Sequence, residues 1–224
     1  MKFFIGDKEY NYSDEQLTIQ LLNHGYEADV YRIKGQAVKM YKKFCHKRRL
    51  DEKTVEFFKN IKTKRFLLPI ETVYDESHKF NGYTTKLIEE GNKSTISRMK
   101  MNKMLTEMKA MTEDVKLLTK SGVTIYDMRL TDVLYGDGLY YCDSGSFIKE
   151  DNMTEKEIDE ENKEQLNELL IEEILGPTCK LTKKQKNYLK KMTLSGDYLS
   201  DIFSYDDFKQ SDSVSSFIKR ITKQ

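Results

Sequence analysis

Ile125-Tyr126-Asp127-Met128-Arg129-Leu130-Thr131-Asp132-Val133-Leu134 is the stretch on which the reading of this sequence turns. It sets two acidic residues, Asp127 and Asp132, five positions apart with the basic Arg129 between them. A short strand pair follows, Val133–Tyr135 and Leu139–Cys142, bracketing the turn Gly136-Asp137-Gly138. Directly after it, sixteen residues beyond Asp127, comes Asp143-Ser144-Gly145. Upstream, Ile96–Lys120 carries Met104, Met108, Met111, Val115 and Leu118 on one amphipathic stripe, and Gly122-Val123-Thr124-Ile125 leads from that helix into the acidic stretch.

Towards the N-terminus the pattern changes from helices to strands. Lys2–Ile5 and Glu9–Tyr12 flank the hairpin signal Gly6-Asp7. Leu17–Leu22 falls in the same strand-rich third and leads to Gly25. Asp29–Ile33 and Gln36–Tyr41 read as two strands about Lys34-Gly35, with Lys39 in the middle of the second. Lys47–Ile61 has Leu50, Val55, Phe58 and Ile61 near helical spacing, and Phe66–Ile70 and Gly82–Ile88 read as two further strands. Towards the C-terminus, Thr154-Glu155-Lys156-Glu157 is a capping box opening a helix to about Leu175, which Gly176-Pro177 is expected to stop. Shorter helices are expected near 182–193, 197–209 and 212–222. The one composition shift lies near residue 89.

Composition excludes several classes. The 38 Lys+Arg and 37 Asp+Glu nearly cancel, so no overall charge marks a nucleic-acid binder. With 14 Tyr and 11 Phe the chain is too aromatic to be disordered. Three widely spaced cysteines, Cys45, Cys142 and Cys179, do not make a disulfide framework and fit a reducing compartment. Charge interrupts Met1–Lys8 too early for a signal peptide, and no apolar run reaches the roughly 18 residues of a membrane span. The expectation is a cytoplasmic globular protein with no transmembrane segment.

Taken singly, the motifs have plain structural readings. Asn23-His24-Gly25-Tyr26-Glu27-Ala28-Asp29-Val30 is a turn between strands, Lys39 an edge lysine, and Asp143-Ser144-Gly145 an Asx turn. Together, from about Leu21 to Phe147, their order and spacing resemble the protein kinases, in the form of a small, divergent, bacterial-type kinase-like domain. Gly25–Val30 looks like the phosphate-covering loop, and Ala37-Val38-Lys39 like the Val-Ala-Ile-Lys strand. The stretch from Ile125 looks like the catalytic loop, and Asp143-Ser144-Gly145 like the metal-binding Asp-Phe-Gly. The resemblance implies an α+β, two-lobed protein kinase-like fold. Residues 1–88 would form an antiparallel-sheet N-lobe, and residues 89–224 a reduced, mainly helical C-lobe.

It also implies roles. Phosphoryl transfer is mostly positioning and charge neutralisation around a spread-out negative transition state. Lys39 would hold the ATP phosphates, steadied by an acidic residue of the next helix: Glu52, with Glu56 and Asp51 as rivals. Asp127 would orient the acceptor hydroxyl and take its proton, Arg129 would contact phosphate, and Asp132 and Asp143 would bind Mg²⁺ through hard oxygen ligands. Asn23, Gly25, Ala28 and Val30 would cover the nucleotide. Thr85 would be the gatekeeper of the adenine pocket, with Leu87 and Ile88 as its hinge.

The departures from the family pattern are specific. Ile125 and Tyr126 replace His-Arg, which removes the arginine that receives an activation-loop phosphate, so no switch of that type is expected. Ser144 replaces Phe, and no Ala-Pro-Glu follows, leaving little chain for a peptide platform. The expected function is an ATP- and Mg²⁺-dependent phosphotransferase acting on protein Ser/Thr. A pseudokinase or nucleotide-binding scaffold, and a small-molecule kinase, stand as alternatives. Cys45-His46 lacks metal-ligand spacing, His24, His46 and His78 read as surface residues, the Met stripe as core, and Lys183–Lys191 as a solvated helix face.

Overall fold

The computed structural model describes residues 1–43, 50–89, 96, 99–194, 196–207, 209 and 212–222. Cys45-His46 and the start of the stretch from Lys47 lie outside the described residues. The chain forms two compact units. Unit 1 comprises Met1–Thr63, Leu67–Glu89 and Asp143–Gly145; unit 2 comprises Lys64–Phe66, Glu90–Cys142 and Ser146–Gln224.

Unit 1 is built on a seven-stranded antiparallel sheet. Its strands are β1 (Lys2–Ile5), β2 (Lys8–Asn11), β3 (Leu21–His24), β4 (Ala28–Ile33), β5 (Gln36–Tyr41), β6 (Glu71–Asp75) and β7 (Phe80–Lys86), in the order β2-β1-β6-β7-β5-β4-β3. Alternation along β5 sends Val38 and Met40 to one face, where they join Phe3, Ile5, Leu17, Ile33 and Val73 in a buried cluster. Each such side chain contributes about 1.5–3 kcal/mol on burial. Lys39 points to the opposite face.

Two expectations change here. The segment expected among the strands at Leu17–Leu22 begins as a helix, α1 (Asp14–Gln20), and only its end enters β3. The cause is a capping box at Ser13: Gln16 N–H donates to Ser13 Oγ at 3.2 Å, and Ser13 N–H to Gln16 Oε1 at 2.8 Å. Phe66–Ile70 is not a strand; only Phe66 makes an isolated bridge, to Tyr141. Phe66, Leu67 and Leu68 are all buried, so no alternation exists, and Pro69 has no N–H for a ladder, which starts at Glu71. Between them, α2 (Glu52–Phe58) is capped by Asp51, whose Oδ1 accepts from Thr54 N–H at 2.7 Å, and buries Val55 and Phe58 completely.

Unit 2 is mainly helical. In α3 (Met101–Lys120) the stripe Met101, Met104, Met108 and Met111 is buried, with Met99 just before it, as core rather than binding face. Two buried carboxylates on α3 organise its surroundings. Asp114 accepts the backbone N–H groups of Lys64, Arg65 and Phe66, and Glu107 accepts from the Arg65 guanidinium at 3.1 Å and from Leu139 N–H at 3.2 Å. Two small antiparallel pairs follow: β8 (Val123–Ile125) with β11 (Phe147–Lys149), and β9 (Val133–Tyr135) with β10 (Leu139–Tyr141).

The remaining helices are α4 (Glu155–Glu168), a π-helical stretch Leu169–Leu175, α5 (Gly176–Cys179), α6 (Lys183–Thr193), α7 (Leu199–Ile202) and α8 (Val214–Ile221). The expected stop at Gly176-Pro177 does not occur. Pro177 sits in the first turn of α5, where its missing N–H costs nothing, and helix ends instead at left-handed Lys180. The face Lys183–Lys191 is not wholly solvated: Lys186 and Lys190 hold Glu172 at 2.7 and 2.8 Å. Among the described residues no helix is long and apolar enough to cross a membrane. His24 and His78 are exposed.

Candidate functional site

The sheet register of unit 1 assembles one set of expected residues. Lys39 stands opposite Val30 on β4 and Tyr83 on β7, and Ala37 stands opposite Thr85, so all five share one face. The two inner strands approach closely: a Cβ on Gly82 would lie 1.9 Å from the Lys39 carbonyl oxygen. On this face Lys39 Nζ meets Asp143 Oδ1 at 3.0 Å, across 104 residues of sequence. It also stands 5.6 Å from the centre of the Tyr83 ring. Burial works against the ammonium charge, but Tyr83, Asp143 and Tyr41 outweigh it and hold the Lys39 pKa above the ordinary lysine value.

Asp143 is itself set by its turn. Its Oδ1 accepts the Gly145 N–H at 3.1 Å, and Ser144 Oγ donates to the Tyr83 hydroxyl at 3.2 Å. The acidic partner expected for Lys39 is a correction. Glu52 Oε1 accepts from the Tyr74 hydroxyl at 2.6 Å, Glu56 holds Lys59, and Asp51 caps α2; the carboxylate on Lys39 is Asp143. Helical periodicity alone could not reveal which way the first turn of α2 faces.

The expected nucleotide-covering residues form the β3–β4 hairpin. Asn23 pairs with Val30, and Gly25 N–H donates to the Ala28 carbonyl at 3.0 Å. Lys42 Nζ closes the tip from one side, donating to the Gly25 carbonyl at 2.5 Å and resting 3.2 Å from Asp29, which also holds His24 at 2.8 Å. Thr85 is buried near the end of β7, and Leu87 and Ile88 continue as half-buried irregular chain.

Unit 2 carries the other set. Between β8 and a single 3-10 turn, Leu130–Asp132, lies the loop holding Asp127, whose φ of 56° is left-handed. Arg129 grips Asp127 as a fork, Nε on Oδ1 at 2.8 Å and Nη2 on Oδ2 at 2.9 Å. The Asp132 carbonyl accepts the Cys142 N–H at 2.8 Å. Tyr126 donates its hydroxyl to Glu150 at 3.2 Å.

Residues the sequence reading missed hold this loop. Asn162 of α4 is fully buried; its Oδ1 accepts the Ile125 N–H at 2.6 Å, and its Nδ2 donates to the Val123 carbonyl at 2.8 Å and Thr119 Oγ1 at 3.0 Å. One turn on, Gln165 Oε1 accepts the Met128 N–H at 3.4 Å. The loop around Asp127 is thus tied to α4 on both sides. The available signal was Asn162 itself, a polar residue four after Ile158 and four before Leu166 on an apolar stripe. Tyr83 was also missed, because only the register sets it beside Lys39. Of the two carboxylates expected to bind metal, Asp143 belongs to unit 1 and Asp132 to unit 2, and among the described residues no three His, Cys, Asp or Glu side chains form a ready-made metal cage.

No protein-family model matches this sequence, and no curated protein matches it. Solved structures do. The crystal structure of the Mycobacterium tuberculosis PknI kinase domain matches with a TM-score of 0.52 and 9% identity, covering 92% of this chain and 94% of that one. A mutant of the same domain matches with a TM-score of 0.51 and 11% identity, covering 91% and 93%. Identity this low speaks for architecture alone, and an antiparallel sheet region followed by a helical part is the architecture found here. The chain has a protein kinase-like fold.

Proposed function

We propose that this chain is an ATP- and Mg²⁺-dependent phosphotransferase of the protein-kinase-like class, with protein serine or threonine hydroxyls as acceptors. The observation that carries the reading is the 3.0 Å pair between Lys39 and Asp143, two residues 104 apart that the kinase motif order singles out. The donor chemistry fits a hard divalent cation, since Asp143 and Asp132 offer carboxylate oxygens. What bound Mg²⁺·ATP supplies is the transferable phosphoryl group with its charge partly neutralised. Lys39, charged at neutral pH, would hold phosphate oxygens; Asp143 and Asp132 are the carboxylates that would offer oxygens to the cation; the hairpin Asn23–Val30 would cover the nucleotide. Thr85, Leu87 and Ile88 take the adenine. Asp127 aligns the acceptor hydroxyl and takes its proton, and Arg129, held in its fork beside Asp127, contacts phosphate.

A second reading, nucleotide binding without transfer, draws on the same fork, because Arg129 engages both oxygens of Asp127. One experiment separates them: incubation with radiolabelled ATP, alone and with lysate, scoring protein and small-molecule products separately. Transfer that drops about a thousandfold in Asp127→Asn, with nucleotide affinity kept within about twofold, supports the phosphotransferase. Binding without any labelled product supports the second reading. Label in small molecules alone moves the acceptor away from protein.

A further inference from the structure

The turn that carries Asp143 is fastened to the sheet of unit 1 at two points. One is the Lys39–Asp143 pair. The other is Ser144, in the position that a phenylalanine holds in the family pattern; its Oγ donates to the Tyr83 hydroxyl at 3.2 Å, and both residues are 1% exposed. An apolar contact has been exchanged for a directional one.

Tyr83 is suited to act as a fixed post. It sits inside the sheet on β7, opposite Thr72 on β6 and Lys39 on β5. Its ring meets the edge of Tyr41 at 6.3 Å and 70°, and the Tyr41 hydroxyl is tied in turn to the Leu50 N–H at 3.1 Å. A buried hydroxyl pair is costly to break because water cannot replace the lost partner. The post therefore restricts where Ser144 lies. Asp143 precedes Ser144 and accepts the N–H of Gly145 just after it, so a fixed Ser144 leaves the carboxylate little freedom.

We propose that Tyr83 is the positioning residue for Asp143: by holding Ser144, its hydroxyl aims the carboxylate that takes the divalent cation of a bound nucleotide. The proposal rests on the nucleotide reading above, and its role is regulation of metal affinity at that site. The centre of the Tyr83 ring also stands 5.6 Å from Lys39 Nζ, so Ser144→Ala, which leaves Tyr83 beside Lys39, isolates the route through Ser144.

The test compares wild type with Tyr83→Phe, Ser144→Ala, the double variant and Ser144→Thr. Calorimetry with the non-hydrolysable analogue AMP-PNP is run with and without Mg²⁺, and amide hydrogen exchange is followed at Gly145 and Ser146 in the ligand-free protein. Each single variant is expected to lose about tenfold in Mg²⁺-loaded affinity while metal-free affinity stays within about twofold. The double variant should fall no further than either single, since both remove one contact. Ser144→Thr, which keeps the hydroxyl, should behave as wild type. Exchange at Gly145 should quicken about tenfold in both singles. Unchanged metal enhancement with unchanged exchange, or additive losses in the double variant, overturns the proposal. If Tyr83→Phe does not fold, Ser144→Ala against Ser144→Thr decides alone. A wild type that binds no nucleotide ends the functional reading, while the exchange data still decide whether Tyr83 sets the turn.

Discussion

Lys39–Asp143 and Arg129–Asp127 are both contacts of 2.8–3.0 Å between a basic side chain and a carboxylate, yet they are made in opposite ways. The first joins residues 104 apart on the sheet face opposite the buried cluster; the second joins residues two apart on one exposed loop. Lys39 is mostly buried, whereas 62% of the Arg129 side chain is exposed. A local pair needs only a loop shape, here one with Asp127 left-handed. A long-range pair needs the register of three strands and the return of Asp143 to unit 1. The face that carries Lys39 is therefore a product of the whole unit. The loop of Asp127 is local in its charges and borrows rigidity from α4.

Breaking the register should have the largest effect. Gly82→Ala drives a methyl group into the Lys39 carbonyl, where the nearest atoms are all β5 backbone rather than the end of a flexible side chain. A loss of more than about 3 kcal/mol in urea unfolding is expected. A loss below about 1 kcal/mol would mean that the close approach of β5 and β7 is not what holds Lys39 in place.

Next comes the support of the local pair. Asn162→Ala leaves the Ile125 N–H and the Val123 carbonyl without their side-chain partner in a dry interior, a cost of about 2–3 kcal/mol. The same variant should raise backbone exchange around Asp127 while leaving the sheet of unit 1 protected. If exchange rises equally in both units, the distinction between a tertiary face and a scaffolded loop collapses.

The smallest effect concerns an intermediate case, Glu172, gripped by Lys186 and Lys190 of a neighbouring helix. Their hydrogen bonds hold its carboxyl below the ordinary glutamate range. A depressed folded pKa gives stability that is present above the unfolded value and is lost as pH falls through the folded one. Glu172→Gln should thus melt slightly below wild type at neutral pH, and the gap should close under acid conditions below the usual carboxylate pKa. Melting curves that stay a constant distance apart down to pH 2 would count against this ion pair. Because the carboxylate is partly exposed, the gap should also shrink in high salt.

Much of the molecule was legible from local pattern. The strand Gln36–Tyr41, the pair around Gly136-Asp137-Gly138 and the buried methionine stripe follow from alternation, turn chemistry and helical spacing, each written in neighbouring residues. The errors have physical causes. At Ser13 a capping box outweighed an apolar run, and at Gly176-Pro177 a proline began a turn instead of ending a helix. At Phe66–Leu68 three consecutive residues are buried, which no alternation describes.

The amino-acid sequence by itself determined the order of the kinase-like motifs and the types of residue at each, Lys39, Asp127, Asp132 and Asp143 among them. These are properties of spacing along one chain. Only the tertiary structure decided partners: that Lys39 meets Asp143 and not Glu52, that Ser144 meets Tyr83, and that Asn162 anchors the loop of Asp127. Such contacts depend on strand register and on which side of a helix turns inward, and those are settled by burial and hydrogen-bond satisfaction across the whole unit.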